Sequence, residues 1–429
     1  MRLRLFAFSF LVVMLAFVTG IPPTYYSDSS GALRMGDYID QNYLVTGLEK
    51  TTSFQQTLKW WKGPWVGYGG DGQEIAFYRP LSSLCWWLQY RAFGPNGAGS
   101  FMMMHWMYHL AVCLLAVAFF RRVVGYTSAW VGVAIWASGI AAMLSLPSPQ
   151  PALSWWKDSP DLWIAGSAIL TLWSLLSFWR TSKIVFLVSA IFFQIVGIAF
   201  KEMAYITPLL AGLVLWFEWK KSPFEIKRHH WVPIAALLLI VVAAYIFRTW
   251  ALQGPGFRFG TNGSWFFRWV QYVLGGRPAN LFVSGQVTPV AIALLGLGFW
   301  MMGAKKHRAG FVLGIAGASL IIWADWKSGQ PLQTVSQFLA FSPAVPFWQM
   351  PIVRDSLLSL VIVGLWVGFL KQLDPTQLFG FCWIVLSYVP LMTAPITEHA
   401  LYLPSMGWGI FLGVAMQHCF RWFKSKRVS

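Results

Sequence analysis

Apolar residues run along this chain in long unbroken blocks, not in alternation. About twelve blocks read as spans on hydropathy and length, and several of them run for roughly 18 residues or more, long enough to cross ~30 Å of hydrocarbon. They begin near residues 4, 101, 127, 161, 184, 203, 231, 287, 309, 356, 377 and 401. Because no period-two alternation is present, barrel strands are excluded. In lipid the remaining way to satisfy every backbone group within one segment is an α-helix. The pattern therefore predicts an all-α polytopic membrane protein, with residues 1–429 forming one transmembrane domain. The first block follows Met1-Arg2-Leu3-Arg4 and continues through Gly20-Ile21-Pro22-Pro23 without the small residues of a cleavage site. It reads as an uncleaved span in preference to a signal peptide.

Composition supports this picture. Hydrophobic residues make up 57% of the chain and charged residues 11%, with mean hydropathy +0.56. That is more apolar surface than a water-soluble fold of this size can bury. The formal charge of +17 sits in short clusters at block ends. These are Arg121-Arg122, Arg180/Lys183, Lys220-Lys221 with Lys227-Arg228, Lys305-Lys306/Arg308, and Arg421/Lys424/Lys426/Arg427. The positive-inside rule places these clusters and both termini in the cytoplasm, and argues against a groove that tracks nucleic-acid phosphates. Cys85, Cys113, Cys382 and Cys419 form no CxxC pair, so neither a disulfide framework nor a thiolate metal site is indicated.

The connections are unequal. Segments 22–100, 251–286 and 327–355 are long and fall on the outer side, and loops of that length usually carry function. Within the first, Phe77 to Phe93 predicts an interfacial helix lying on the membrane. Pro80 suits its first turn, Arg79 and Arg91 bracket it, and Leu81, Leu84, Leu88 and the tryptophans are expected to face lipid.

Acids concentrate ahead of that helix, among them Asp28, Asp37, Asp40, Asp71 and Glu74. A carboxylate beside a membrane surface can accept a proton from an attacking hydroxyl, although solvated loop charge is the commoner role for any one of them. Lys201-Glu202 falls between two apolar blocks with almost no loop. Ionisable groups so placed either serve a site or form a structural ion pair capping a tight hairpin. The outer cations Arg34, Lys62, Arg79, Lys157, Arg248, Arg258, Arg268 and Arg277 suit phosphate oxygens or acidic headgroups. His105 and His109 share a helix face, but no third ligand matches them, so packing within the bundle is the better account than zinc. Two polar segments, Trp155 to Asp161 and Thr397 to Ser405, converge on the side of the acidic loop.

These blocks resemble the GT-C glycosyltransferases, integral membrane enzymes that use lipid-phosphate-linked sugar donors. The chain is most similar to the branch holding transmembrane protein O-mannosyltransferases and their bacterial relatives. Tyr78-Arg79-Pro80-Leu81-Ser82, continuing to Phe93-Gly94 and then His109, resembles the family's Tyr-Arg-Pro-Leu block, interfacial helix and following histidine. Pro160-Asp161-Leu162 resembles the aspartate opening span four. Lys201-Glu202-Met203-Ala204 with Pro208 is similar to the Lys-Glu block. Glu398 through Ser405, including Tyr402, is similar to the closing motif, with His399 where the family has arginine. Asp28 is followed by Ser29, and Asp37 and Asp40 are separated, where the family commonly has paired acids.

The resemblance implies a sugar transfer from a polyprenyl-phosphate carrier to a glycan, lipid or protein acceptor on the periplasmic face of an inner membrane. It implies Asp28, then Asp37, as the base. Arg79, Lys201 and His399 would take the donor phosphate, with Asp161, Glu202, Glu398, Tyr402 and His109 in support. No metal ligand is assigned, no cofactor is certain, and a divalent metal is compatible but not required. The rival expectation is a transporter or flippase for lipid-linked glycans.

Overall fold

In the computed structural model of this chain, residues 39–68, 77–94, 98–137, 158–221, 228–254, 373–389 and 402–426 are described. They are helical, with no strand among them. We number the helices of the described residues in chain order. They are α1 (Ile39–Lys50), α2 (Pro80–Phe93), α3 (Ala98–Val123), α4 (Tyr126–Ala137), α5 (Ser159–Thr181), α6 (Ile184–Phe200), α7 (Thr207–Lys221), α8 (Arg228–Ala251), α9 (Pro375–Ser387) and α10 (Tyr402–Lys426). Short turns at Phe54–Thr57, Leu58–Trp61 and Glu202–Ile206 complete the set.

Three stretches, Met103–Val123, Ser159–Thr181 and His230–Ala251, are long and apolar enough to cross a membrane. Ile184–Phe200 and Pro375–Ser387 are apolar but shorter. Large apolar side chains stand exposed along α6 and α8, among them Val188 at 59%, Phe192 at 59%, Leu239 at 69% and Ile246 at 63%. Contiguous apolar surface of this kind needs lipid or protein against it. The chain is a helical membrane protein. The expected spans near 4, 287, 309 and 356 lie outside the described residues, as do segments 255–286 and 327–355 of the long loops.

Local chemistry sets the helix limits. α5 starts at Ser159-Pro160, where a missing proline N–H costs nothing in a first turn. It stops at Ser182, in the left-handed region at φ 56°, whose N–H closes onto the Phe178 carbonyl. α2 likewise opens on Pro80 and ends at Gly94, φ 71°, where glycine carries no steric penalty. α9 has a full capping box. The Asp374 carboxylate accepts from the Thr376 and Gln377 N–H groups, while the Gln377 side chain accepts from the Asp374 N–H.

The core lies between α3, α5 and α7, closed on one side by α4, α9 and α10. α10 reaches α4 and α9 by backbone-to-backbone approach. A Cβ on Gly409 would meet the Gly132 carbonyl oxygen at 2.5 Å, and one on Gly407 the Gly380 oxygen at 2.6 Å. Small residues allow such contacts, which supply the packing that holds helices together in lipid.

One expectation is overturned. The tryptophans of α2 do not face lipid: Trp86 is 1% and Trp87 8% exposed, whereas Leu88 is 51% exposed. Trp86 lies against Trp65 and Trp163, and the Trp87 indole N–H donates to the Thr51 carbonyl at 2.7 Å. Together with Leu44, Leu48, Trp60, Val66 and Phe101 they form a separate small core. The helix is sandwiched between the bundle and its own preceding loop, so its most apolar face turns inward and not to the bilayer.

Candidate functional site

The site begins where α6 ends. Lys201 is extended (φ −164°, ψ 149°), which stops the helix, and Glu202 opens a 3-10 turn leading into α7. Adjacent side chains on extended backbone point to opposite sides, so the two charges part company. The turn satisfies its own polar groups. The Lys201 N–H donates to Gly197, the Ala204 N–H to Lys201, and the Gln194 and Thr207 side chains to the Ala204 carbonyl.

Each charge takes a partner from a different element. The Lys201 ammonium donates to both Asp161 oxygens, at 2.7 and 2.8 Å, with the two side chains 9% and 5% exposed. Arg79 forks onto Glu202, its Nη2 at 2.9 Å from Oε1 and its Nε at 3.3 Å from Oε2, with side chains 14% and 27% exposed. A planar guanidinium meets a carboxylate best in this two-point geometry. The pairs are within electrostatic reach of one another, since Asp161 also senses Arg79 and Glu202. Arg248, 4% exposed in the last turn of α8, adds a third positive charge acting on Glu202.

Glu202 lies outside the spanning helices. Burial pushes its carboxyl up, but the Arg79 charge and hydrogen bond, followed by Arg248, outweigh this and hold it down at about 2. It is therefore an anion at any ordinary pH.

α2 is clamped beside these charges. Ser82 Oγ donates to the Phe200 carbonyl at 2.6 Å, capping an orphan carbonyl at the end of α6. The Arg79 guanidinium lies over the Phe77 ring, 4.0 Å from its centroid, and Tyr78 stacks edge-on against Phe247 of α8. Aromatic walls from Trp163 and Phe200, with centroids 4.9 Å apart, complete the surroundings.

The structure thus brings Arg79, Asp161, Lys201 and Glu202 together. His109 and Tyr402 form a different contact, Nδ1 to hydroxyl at 2.6 Å, which ties α3 to the start of α10. That start is further held by the Trp136 indole donating to Ser405 and the Trp383 indole donating to the Leu403 carbonyl. His105 instead meets Ser159 at 2.8 Å, so the two histidines serve separate partners. Among the described residues, no group of three His, Cys, Asp or Glu is placed to hold a metal ion. Asp28, Asp37, Glu398 and His399 lie outside the described residues, and Asp40 is placed only as a backbone position in α1.

Sequence reading singled out the four charged residues but not their pairing. It treated Lys201-Glu202 as one unit, where the chain splits the two between Asp161 and Arg79. Arg248 stood among the outer cations, and its position one helix turn from the end of an apolar block was the signal that it belongs with this cluster. Comparison with family models, curated proteins and solved structures finds no match to this chain.

Proposed function

We propose that the chain is a membrane glycosyltransferase that moves a sugar from a polyprenyl-phosphate carrier to an acceptor hydroxyl, at the end of the bundle where Arg79 and Lys201 lie. The observation that carries this reading is the two ion pairs, Arg79–Glu202 and Lys201–Asp161, beside the clamped helix α2. Two cations are held in place by two acids, next to lipid-facing helices, in a setting where water is scarce.

Such an arrangement suits a leaving phosphate. An ammonium has three N–H donors and a guanidinium five. Asp161 accepts from Lys201 at both oxygens, and Glu202 accepts two bonds from Arg79, so donors remain for an incoming anion. Because the acids already fix the cations, little reorganisation is needed as charge builds on the departing oxygen. In the proposed reaction a first-loop carboxylate, Asp28 foremost and Asp37 next, takes the proton of the acceptor hydroxyl. The hydroxyl oxygen bonds to the anomeric carbon as the carbon–oxygen bond to the lipid phosphate breaks. His399 is assigned to the same phosphate, with Glu398, Tyr402 and His109 supporting that part of the site. On this reading the enzyme belongs to a bacterial-type inner membrane, with this end facing the periplasm.

The test uses purified protein with a panel of polyprenyl-phosphate sugars. Asp28→Asn or Asp37→Asn should lower transfer by roughly 10²–10⁴-fold, the usual worth of a general base. Transfer untouched by both changes removes the base assignment. Flipping of the lipid-linked sugar without transfer favours the transporter reading.

A further inference from the structure

The opposite end of the bundle carries a second set of charges, which the proposed transfer does not use. α5 runs from Asp161 to Arg180, and at 1.5 Å per residue that places them roughly 28 Å apart, about a hydrocarbon thickness. Three helices end here with cations in their last turns: α3 with Arg121 and Arg122, α5 with Arg180, and α7 with Lys220 and Lys221. Lys183 precedes α6 beside them. Cations at helix C-termini are stabilised by the terminal carbonyls, which explains their presence but not their mutual arrangement.

That arrangement is built. Glu218 accepts from Arg180 at 2.7 Å and from Lys221 at 3.1 Å, drawing two cations together. Arg180 also donates to the Arg122 carbonyl at 3.4 Å. Arg122 lies 4.4 Å over the Trp173 ring and Lys221 4.7 Å over Phe217, so aromatic rings floor the patch. Among the described residues Glu218 is the acid that pairs with these groups, while Asp374 is turned to His418 at 2.9 Å. The cluster keeps a large excess of positive charge.

A second observation says what meets it. Directly after Lys183 the chain exposes Ile184, Val185 and Val188, at 66%, 58% and 59%. Trp219 of α7 is exposed as well. Cations bordered along the helix axis by bare apolar surface match a molecule with an anionic head and hydrocarbon tails. A soluble acidic protein would match the charges alone.

We infer that Arg122, Arg180, Lys183 and Lys221 form a binding site for the phosphate headgroup of an anionic phospholipid, with its acyl chains lying along the start of α6. Glu218 sets the spacing of the cations and limits the affinity.

The site is tested with the full chain in nanodiscs of equimolar phosphatidylglycerol and phosphatidylcholine, reading co-purifying lipid by native mass spectrometry. The wild-type chain should retain phosphatidylglycerol preferentially. With each cation near the surface contributing about 1 kcal/mol, the triple variant R122Q/R180Q/K221Q should lose roughly tenfold or more of that retention. Phosphatidylcholine retention should stay the same, and K59Q, a charge loss at an exposed position of the outer loop, should change neither. Glu218→Gln guards against simple misfolding of the triple variant, because it removes an acid and should raise phosphatidylglycerol retention. Equal retention of the two lipids by the wild type overturns the site, as does a triple variant that still prefers phosphatidylglycerol or a Glu218→Gln chain that loses it. Capture of a polyglutamate peptide without lipid enrichment also overturns it, in favour of an acidic protein partner.

Discussion

Lys201 donates to both carboxylate oxygens of Asp161, across a sequence separation of 40 residues and with both side chains nearly removed from solvent. The contact joins the end of α6 to the first turn of α5. Its strength depends on neither charge being left alone.

Breaking it from one side should therefore cost more than removing it whole. Asp161→Asn or Lys201→Gln alone leaves an uncompensated buried charge, worth about 3–5 kcal/mol of destabilisation. The double variant should be less destabilised than the two single effects summed. A double-mutant cycle on unfolding in detergent reads this directly, and strict additivity would contradict a coupled pair.

Acid should dissolve the second pair late. The folded Glu202 carboxyl is held at about 2, below its ordinary 4.5, by Arg79 and Arg248 against the opposing effect of burial. A depressed carboxyl contributes its full stability above 4.5 and loses it as pH falls through about 2. The difference in thermal midpoint between wild type and Glu202→Gln should thus be constant from about pH 7 to pH 5 and shrink below pH 4.5. A difference that already vanishes near pH 6 would sink the assignment.

The two faces of α2 should respond oppositely to truncation. Trp86, 1% exposed between the loop and the bundle, should cost about 3–5 kcal/mol when changed to alanine. Leu88, 51% exposed, should cost within about 0.5 kcal/mol in detergent. Comparable losses at both positions would show that the helix is not seated by its tryptophans.

At the α4–α10 crossing, any side chain at position 409 meets the Gly132 carbonyl. Gly409→Leu should force the helices apart and lower the thermal midpoint clearly, by overpacking worth about 1–3 kcal/mol or more. Gly212, whose added Cβ meets nothing within 4 Å, supplies the contrast: Gly212→Ala should be neutral or mildly stabilising through helix propensity. Equal effects at the two glycines would argue against close backbone approach.

Much of the helical layout was legible from the apolar blocks, because a helix in lipid must satisfy its own backbone and so leaves a long uninterrupted signature. The breaks at Ser182 and Lys201 were legible too, since charged and polar residues interrupt otherwise continuous runs. The orientation of α2 was not. Composition shows that Trp86 and Trp87 need apolar company, and cannot say whether lipid, loop or bundle supplies it. The partners of Lys201 and Glu202 were equally hidden, since the direction of a side chain on one extended residue is a property of backbone geometry. Arg79 stood among the outer cations and Asp161 in the polar segment that begins at Trp155, and neither position says which charge it meets. Their separate pairings emerge from how α2 and α5 flank the α6–α7 turn.

The extended backbone at Lys201 gives letter order a meaning that composition lacks. Transposing the dipeptide to Glu-Lys would conserve net charge, volume and hydropathy. It would nevertheless aim a carboxylate at Asp161 and an ammonium at Arg79, turning two attractions into two repulsions. At this corner of the protein, polarity along the chain is a structural parameter, as directional as the handedness of a screw.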